Sequence, residues 1–357
     1  MLRSWLEWWC WSGPVSAFAA PMCEECMPNG KRIGLFANTE FWSAYGKDVE
    51  ATCAGYDCQV EWIGPPEGEE RLDEARLAAI TVATFNGYWE VDPQFTRRFF
   101  GIVLRAPNLK WFHVPNAGVD HPAFSALLER GVTLTTSAGA NAAPVAQSVL
   151  AAVLAFSRGL PQWMAAQRAR LWQRLGEQRA DLVGQTMVIV GLGAIGSEVA
   201  RLAKAFGLRV VAVRSKPTPS VHADEVVSLE EIDPVLPRAD WLVLTCPLTP
   251  QTTKLIDAAR LHRLPPHAHL VNVSRGAVVD EEALVEALRQ RRIAGAYLDV
   301  FTEEPLPAAS PLWELPNVLL SPHDAAGARG NRDRVSRLFL ENLAYWLAGK
   351  ELRNRVR

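Results

Sequence analysis

Residues 187–196 read MVIVGLGAIG, and the fold follows from how this stretch is read. The apolar, mostly branched run 187–190 has the character of a strand buried in a parallel sheet. Gly191, Gly193 and Gly196 then spell G-x-G-x-x-G and run into S-E-V-A-R-L-A at residues 197–203, which has helical spacing. Strand, tight turn and helix start together make a dinucleotide site. Gly191 permits the turn, Gly193 lets backbone approach a pyrophosphate, and Gly196 allows the helix to pack closely on the strand. The N–H groups at the helix start, around Ala194 and Ile195, face the negative charge. A glycine turn can also serve packing alone, so the motif by itself leaves that alternative open.

The chain around this stretch has 357 residues, 49% hydrophobic and 21% charged, enough for two domains with separate cores. A formal net charge of −2 gives no reason to expect nucleic acid or a membrane surface as a partner. The most apolar run, 142–156, is broken by Pro144, Gln147 and Ser148 and is too short to span a bilayer, so a buried helix is expected there. Cys10, Cys23, Cys26, Cys53, Cys58 and Cys246 are scattered through a chain that needs no staples, which points to reduced thiols and a cytoplasmic location. Cys23 and Cys26 have C-x-x-C spacing but no second pair or nearby His, so no metal is expected.

Upstream, residues 1–29 differ from the rest. Trp5, Trp8, Trp9 and Trp11 crowd together, followed by Pro14, Pro21 and Pro28. They read as a poorly ordered extension, or as a start codon set too early with Met22 or Met27 the real beginning. A secretory leader is less favoured, because Glu7 and the Trp cluster interrupt its apolar middle.

From residue 31 the chain alternates: strand 31–37, helix 41–52, strand 59–63, helix 72–79, strand 80–84, helix 95–105, strand 111–114, helix 122–129 and strand 132–135. This is an open parallel α/β unit without a glycine-rich phosphate turn. Phe85-Asn86-Gly87 and Asn116-Ala117-Gly118-Val119-Asp120 directly follow its strands, where ligands bind in such sheets. Simple turn chemistry explains Asn-Gly and Ala-Gly equally well. A helix at 141–156 and a polar link at 167–179, helical or irregular, lead into the second unit. Its strands are 187–190, 209–213, 241–245, 269–273, 294–300 and 318–320, with helices at 281–291 and 334–347.

Four ionisable residues stand where strands of that second unit end: Arg214, Arg275, Glu304 and His323. The carboxyl ends of parallel strands converge on one crevice, so residues far apart in sequence can share a site there.

VNVSRGAVVDEEAL, AYLDVFTEEPLP and SPHDAAG, in that order after GLGAIG, resemble the D-isomer-specific 2-hydroxyacid dehydrogenases, from about residue 30 to the C-terminus. The resemblance implies an α/β protein of two open parallel-sheet domains, a Rossmann cofactor domain inserted in a flavodoxin-like substrate domain. Residues 30–137 and 325–357 would form the substrate domain and 138–324 the dinucleotide-binding domain. It also implies hydride transfer between NADPH or NADH and a small 2-oxo acid, of the glyoxylate or hydroxypyruvate kind, giving the D-2-hydroxy acid. Carried over by position, Arg275 binds substrate, Glu304 is the acid paired with the histidine, and His323 is the general acid/base. Cofactor contacts fall to Gly191, Gly193, Ala194, Ile195, Gly196, Arg214, Ser215, Lys216 and Asp299. Asn86, Gly87, Ala117 and Gly118 join Arg275 around the substrate carboxylate.

These roles make chemical sense. A guanidinium can hold a carboxylate and polarise the neighbouring ketone. The oxygen that gains negative charge needs a proton, which histidine supplies in the useful range and which an adjacent carboxylate keeps populated.

In NAD-using relatives the second strand of the glycine-rich unit ends in Asp, which accepts from the ribose hydroxyls. Here Arg214 takes that position, and with Lys216 it can pair with a 2′-phosphate, so NADP(H) is favoured and NAD(H) remains open. Glu304 argues against a formate dehydrogenase, in whose branch Gln stands there. A phosphoglycerate dehydrogenase with a regulatory tail is less favoured, since the chain stops soon after the last helix. The alternative of another class is a nucleotide-sensing, corepressor-like binding module on the same fold with little turnover. Gln147, where relatives often carry Glu, carries no chemistry in this reading. The resemblance implies a homodimer through the glycine-rich domain.

Overall fold

The computed structural model describes residues 32–66, 71–86, 93–119 and 121–356. The expectations for residues 1–29, including the Cys23/Cys26 pair, and for Gly87 and Asp120 lie outside the described residues.

The first unit runs β1 (Arg32–Ala37), α1 (Thr39–Ala54), β2 (Gln59–Ile63), α2 (Glu74–Ala79), β3 (Val82–Thr84), α3 (Pro93–Arg105), β4 (Trp111–Val114), α4 (Pro122–Glu129) and β5 (Thr133–Thr136). All its strands are parallel, in the order β2-β1-β3-β4-β5, the flavodoxin-like order. Strands β3 and β4 are buried on both faces, and all their residues but Thr84 and His113 are apolar. Helix α2 starts where Asp73 accepts the Arg76 N–H (2.7 Å), and α4 where Pro122 follows the cap His121.

The second unit runs α5 (Ala142–Arg158), α6 (Leu160–Arg168), β6 (Thr186–Val190), α7 (Ala194–Ala205), β7 (Arg209–Arg214), β8 (Glu225–Ser228), β9 (Trp241–Leu244), α8 (Ala258–Arg263), β10 (His269–Asn272), α9 (Glu281–Arg289), β11 (Gly295–Leu298) and β12 (Val318–Leu320). Its parallel order is β12-β11-β10-β9-β6-β7-β8, a Rossmann order with one strand added beyond β11. Alternation divides its core between two faces. Val188, Val211, Leu242 and Leu270 pack with Leu261, Leu284 and Leu288 of α8 and α9. Met187, Ile189, Val210 and Val243 pack with Val145, Val149 and Val153 of α5 and Val199 of α7.

The chain then returns. Helix α10 (Asn331–Leu347) packs Phe339, Leu343 and Trp346 on Ile33, Leu35 and Trp111 of the first sheet. Trp111 stacks on Phe339 (5.1 Å) and on Trp346 (5.5 Å). The tail closes on β5 through Thr136 N–H to the Asn354 carbonyl (3.1 Å) and Val356 N–H to the Leu134 carbonyl (2.9 Å). The second sheet is thus an insertion in the first unit.

Three elements were not foreseen. Strand β8 is a half-buried edge strand that follows Pro217 and Pro219, and α8 is only six residues long, started by Asp257 accepting the Arg260 N–H. The third is α6, set off from α5 by Gly159 at φ +73°; the link at 167–179, expected as helical or irregular, is irregular after Arg168 apart from a short turn at Gly176–Gln178. Among the described residues no single helix is long and apolar enough to cross a membrane, and run 142–156 forms the buried helix α5.

Candidate active site

The glycine turn is built by steric necessity. Gly191 has φ +98°, and a Cβ there would lie 2.6 Å from the Cys246 nitrogen; a Cβ at Gly196 would lie 2.0 Å from the Gly191 carbonyl oxygen. Gly193 is different: a Cβ there meets nothing within 4 Å, so its open side is where a ligand can reach the backbone. Gly193 is also the N-cap of α7 and makes no side-chain cap bond, which leaves the first-turn N–H groups of Ala194, Ile195 and Gly196 without helical acceptors. The Gly191 N–H donates to the Val213 carbonyl (2.8 Å), so Arg214 emerges beside the turn. Arg214 is half-buried, and Ser215 and Lys216 are exposed.

Arg275 follows β10 and caps the tight turn Gly276–Val278. Asn272 Nδ2 holds the Arg275 carbonyl (3.0 Å), and Arg275 Nη1 donates to the Ser274 carbonyl (2.7 Å). A Cβ at Gly276 would fall 1.9 Å from the Phe301 carbonyl carbon. The absence of that Cβ is what lets the Arg275 turn press against the loop carrying Glu304.

Glu304 Oε1 accepts the Phe301 N–H (3.0 Å), while Oε2 lies 2.8 Å from His323 Nδ1. Burial works against ionising Glu304, but the bonds from His323 and Phe301 and the charges of His323 and Arg275 together hold its pKa below the usual value. The hydrogen bond to Glu304 raises the His323 pKa; burial opposes it, and the charges of Glu304 and Asp299 add to it. His323 sits at φ +52°, a left-handed conformation that a non-glycine residue adopts at a cost of about 1 kcal/mol or more. Its N–H is held by the carbonyls of Asp299 (2.8 Å) and Ser321 (3.0 Å).

Asp299 builds this loop. Its Oδ1 accepts from Ser321 Oγ (2.5 Å) and from the N–H groups of Asp324 (2.9 Å) and Ala325 (3.0 Å), and burial raises its pKa. The carboxylate expected at the cofactor therefore also shapes the turn that presents His323.

Arg275, Glu304 and His323 line one cleft of about 350 Å³, closed from the first unit by Asn116, Gly118 and His121. Of the residues expected around a carboxylate, Gly118 lines this cleft, whereas Ala117 beside it is exposed and is not part of the lining. Asn86 is buried behind the cleft, with Nδ2 donating to Ser336 Oγ of α10 (3.2 Å) and Oδ1 without a partner. His121 was missed by the sequence reading. Its Nδ1 accepts the Ala123 N–H (3.2 Å) at the start of α4, and the signal available was a polar residue directly before Pro122. Among the described residues no group of three or more His, Cys, Asp or Glu is arranged to hold a metal.

A family model described as D-isomer specific 2-hydroxyacid dehydrogenase, NAD binding domain, matches residues 150–325. D-3-phosphoglycerate dehydrogenase of Mycobacterium leprae (strain TN) is 33% identical over 309 residues, covering 85% of this chain and 56% of that protein. Glyoxylate reductase of Korarchaeum cryptofilum (strain OPF8) is 34% identical over 254 residues, 69% of this chain and 75% of the relative. The crystal structure of a D-isomer specific 2-hydroxyacid dehydrogenase from Xanthobacter autotrophicus Py2, in complex with NADPH and MES, matches with a TM-score of 0.73 at 30% identity, over 92% of this chain and 98% of that one. The chain spans about half the length of the phosphoglycerate dehydrogenases it matches.

Proposed function

Given that this chain belongs to the D-isomer-specific 2-hydroxyacid dehydrogenase family, we propose that it reduces a small 2-oxo acid to the D-2-hydroxy acid with NADPH. The observation that carries this reading is the meeting of Arg275, Glu304 and His323 in one cleft between the two sheets. Residues 30–137 and 325–357 act as the substrate domain and 138–324 as the cofactor domain.

The residues present fit a dinucleotide. The open side of Gly193 and the free first-turn N–H groups of α7 suit a pyrophosphate. Arg214 and Lys216 suit a 2′-phosphate, and Ser215 lies between them. Charge-assisted contacts of this kind are worth about ten- to a hundredfold in affinity before screening, and exposure at Lys216 brings the expectation toward the lower figure. The solved relative that binds NADPH supports the same choice. When bound, the cofactor supplies the hydride.

The chain supplies the rest. Arg275 holds the carboxylate and polarises the ketone oxygen, with backbone N–H groups near Gly118 completing the carboxylate site. His323, whose Nδ1 is engaged by Glu304, delivers the proton from Nε2 to the oxygen that becomes the hydroxyl. Asp299 holds the His323 turn in place.

The cleft also favours one class of substrate. Among its described lining residues, Arg275 is the one guanidinium or ammonium group. Among these described residues a second strong anion such as a phosphate finds no further guanidinium or ammonium partner, which favours glyoxylate or hydroxypyruvate over a phosphorylated acid.

Initial rates for a panel of 2-oxo acids, each with NADPH and NADH, test the reading. Turnover of small unphosphorylated acids with NADPH is expected. Cofactor binding without turnover of any acid would replace this reading with the sensing module.

A further inference from the structure

Behind the cleft runs a chain of buried polar side chains that the proton and hydride steps do not use. Trp111 Nε1 donates to Thr135 Oγ1 (2.8 Å), which lies 2.8 Å from His113 Nδ1. His113 Nε2 lies 3.1 Å from Ser137 Oγ, which donates to the Val114 carbonyl (2.9 Å). All four side chains are buried. One assignment gives every hydrogen an acceptor: Thr135, having accepted from Trp111, donates to Nδ1, and Ser137, having donated to Val114, accepts from Nε2–H. Burial pushes the His113 imidazole down to about 3, against the pull of the Val335 backbone, so the ring stays neutral.

Ser137 makes a second tie. Its N–H donates to the Asn116 carbonyl (3.0 Å), so one residue fastens both ends of the segment 114–116 where the strand gives way to the cleft loop. The His113 carbonyl accepts the Phe85 N–H (3.4 Å), just before Asn86. On its other side His113 meets the Phe339 ring of α10 (5.8 Å).

We propose that His113 is a positioning residue for the substrate carboxylate, fixing through Ser137 the backbone of the Asn116–Gly118 loop before substrate arrives. The proposal rests on reading the cleft as a 2-oxo acid site. A loop already held in its binding geometry loses little freedom when the anion docks, whereas a loose one must be ordered at the expense of affinity. Neither Arg275 nor His323 belongs to the relay, so its loss acts on substrate binding and not on the chemical step.

Three variants test this: His113→Leu, His113→Gln and Ser137→Ala. Glutamine accepts at Oε1 and donates at Nε2, as the ring does at its two nitrogens. With glyoxylate and NADPH, His113→Leu and Ser137→Ala are expected to raise KM for glyoxylate about tenfold, with kcat within about threefold and KM for NADPH unchanged. Amide exchange across residues 114–119 is expected to quicken in both, and His113→Gln to stay near wild type on every count. Unchanged KM and exchange in His113→Leu overturns the proposal. So does a parallel loss of glyoxylate and NADPH binding that glutamine does not repair. If His113→Leu fails to fold, Ser137→Ala decides by the same two readouts. A wild-type protein that turns over no 2-oxo acid defeats the substrate reading separately, and the exchange data still decide whether the relay holds the loop.

Discussion

Glu304 and His323 form a one-sided pair: Nδ1 of the imidazole lies 2.8 Å from Oε2 of the carboxylate, whose other oxygen is taken by the Phe301 N–H. The pair raises the His323 pKa and lowers that of Glu304. Reduction needs His323 protonated, so activity falls as pH rises through the raised His323 value. Glu304→Gln removes the charge and moves that alkaline limb to lower pH, which a kcat/KM profile for glyoxylate reads directly. An unmoved limb would detach Glu304 from the titration.

The same shifts set a stability window. Glu304 contributes stability that is lost as pH falls through its lowered pKa, and His323 contributes stability that is lost as pH rises through its raised one. The pair therefore supports the fold most between the two, and both groups are exposed enough for the effect to be small.

Arg214→Asp exchanges a phosphate partner for a ribose partner at the end of β7. Its kcat/KM with NADPH should fall about tenfold or more, while NADH should be used as well as before or better. Equal losses with both cofactors would show that Arg214 serves the strand end and not the nucleotide.

Gly193 and Gly196 separate ligand approach from packing. Gly193→Ala adds a methyl group into open space, whereas Gly196→Ala drives one against the Gly191 carbonyl. Thermal unfolding should leave Gly193→Ala near wild type in Tm with a raised KM for NADPH. Gly196→Ala should lose Tm as well.

We propose that the chain forms a homodimer through the inserted unit. Trp172 is 92% exposed, Leu171 63% and Met164 51%, apolar side chains close together in sequence around the end of α6. Light scattering on the purified chain is expected to give twice the chain mass, and Trp172→Glu with Leu171→Glu to give one. A monomeric wild type would end the dimer proposal.

Much of this was legible in the sequence because buried parallel strands write themselves as apolar runs and because Arg275, Glu304 and His323 all follow such runs. Strand β8 escaped because its residues are only half-buried, and α8 because six residues do not establish a period. Asn86 could be placed after a strand, but its tie to Ser336 spans 250 positions and has no local signature. His113 drew no reading, because within the strand 111–114 nothing local marks it. Only the pairing of β4 with β5 sets Thr135 opposite it and puts Ser137 within reach just past the strand.

The central claim is that His323 delivers the proton to a 2-oxo acid held by Arg275. Its most direct test is single-turnover oxidation of bound NADPH by glyoxylate in the wild type and in His323→Ala. The account predicts turnover in the wild type and a rate lower by about 10²- to 10⁴-fold in the variant, with NADPH affinity unchanged. Equal rates in the two proteins would contradict it.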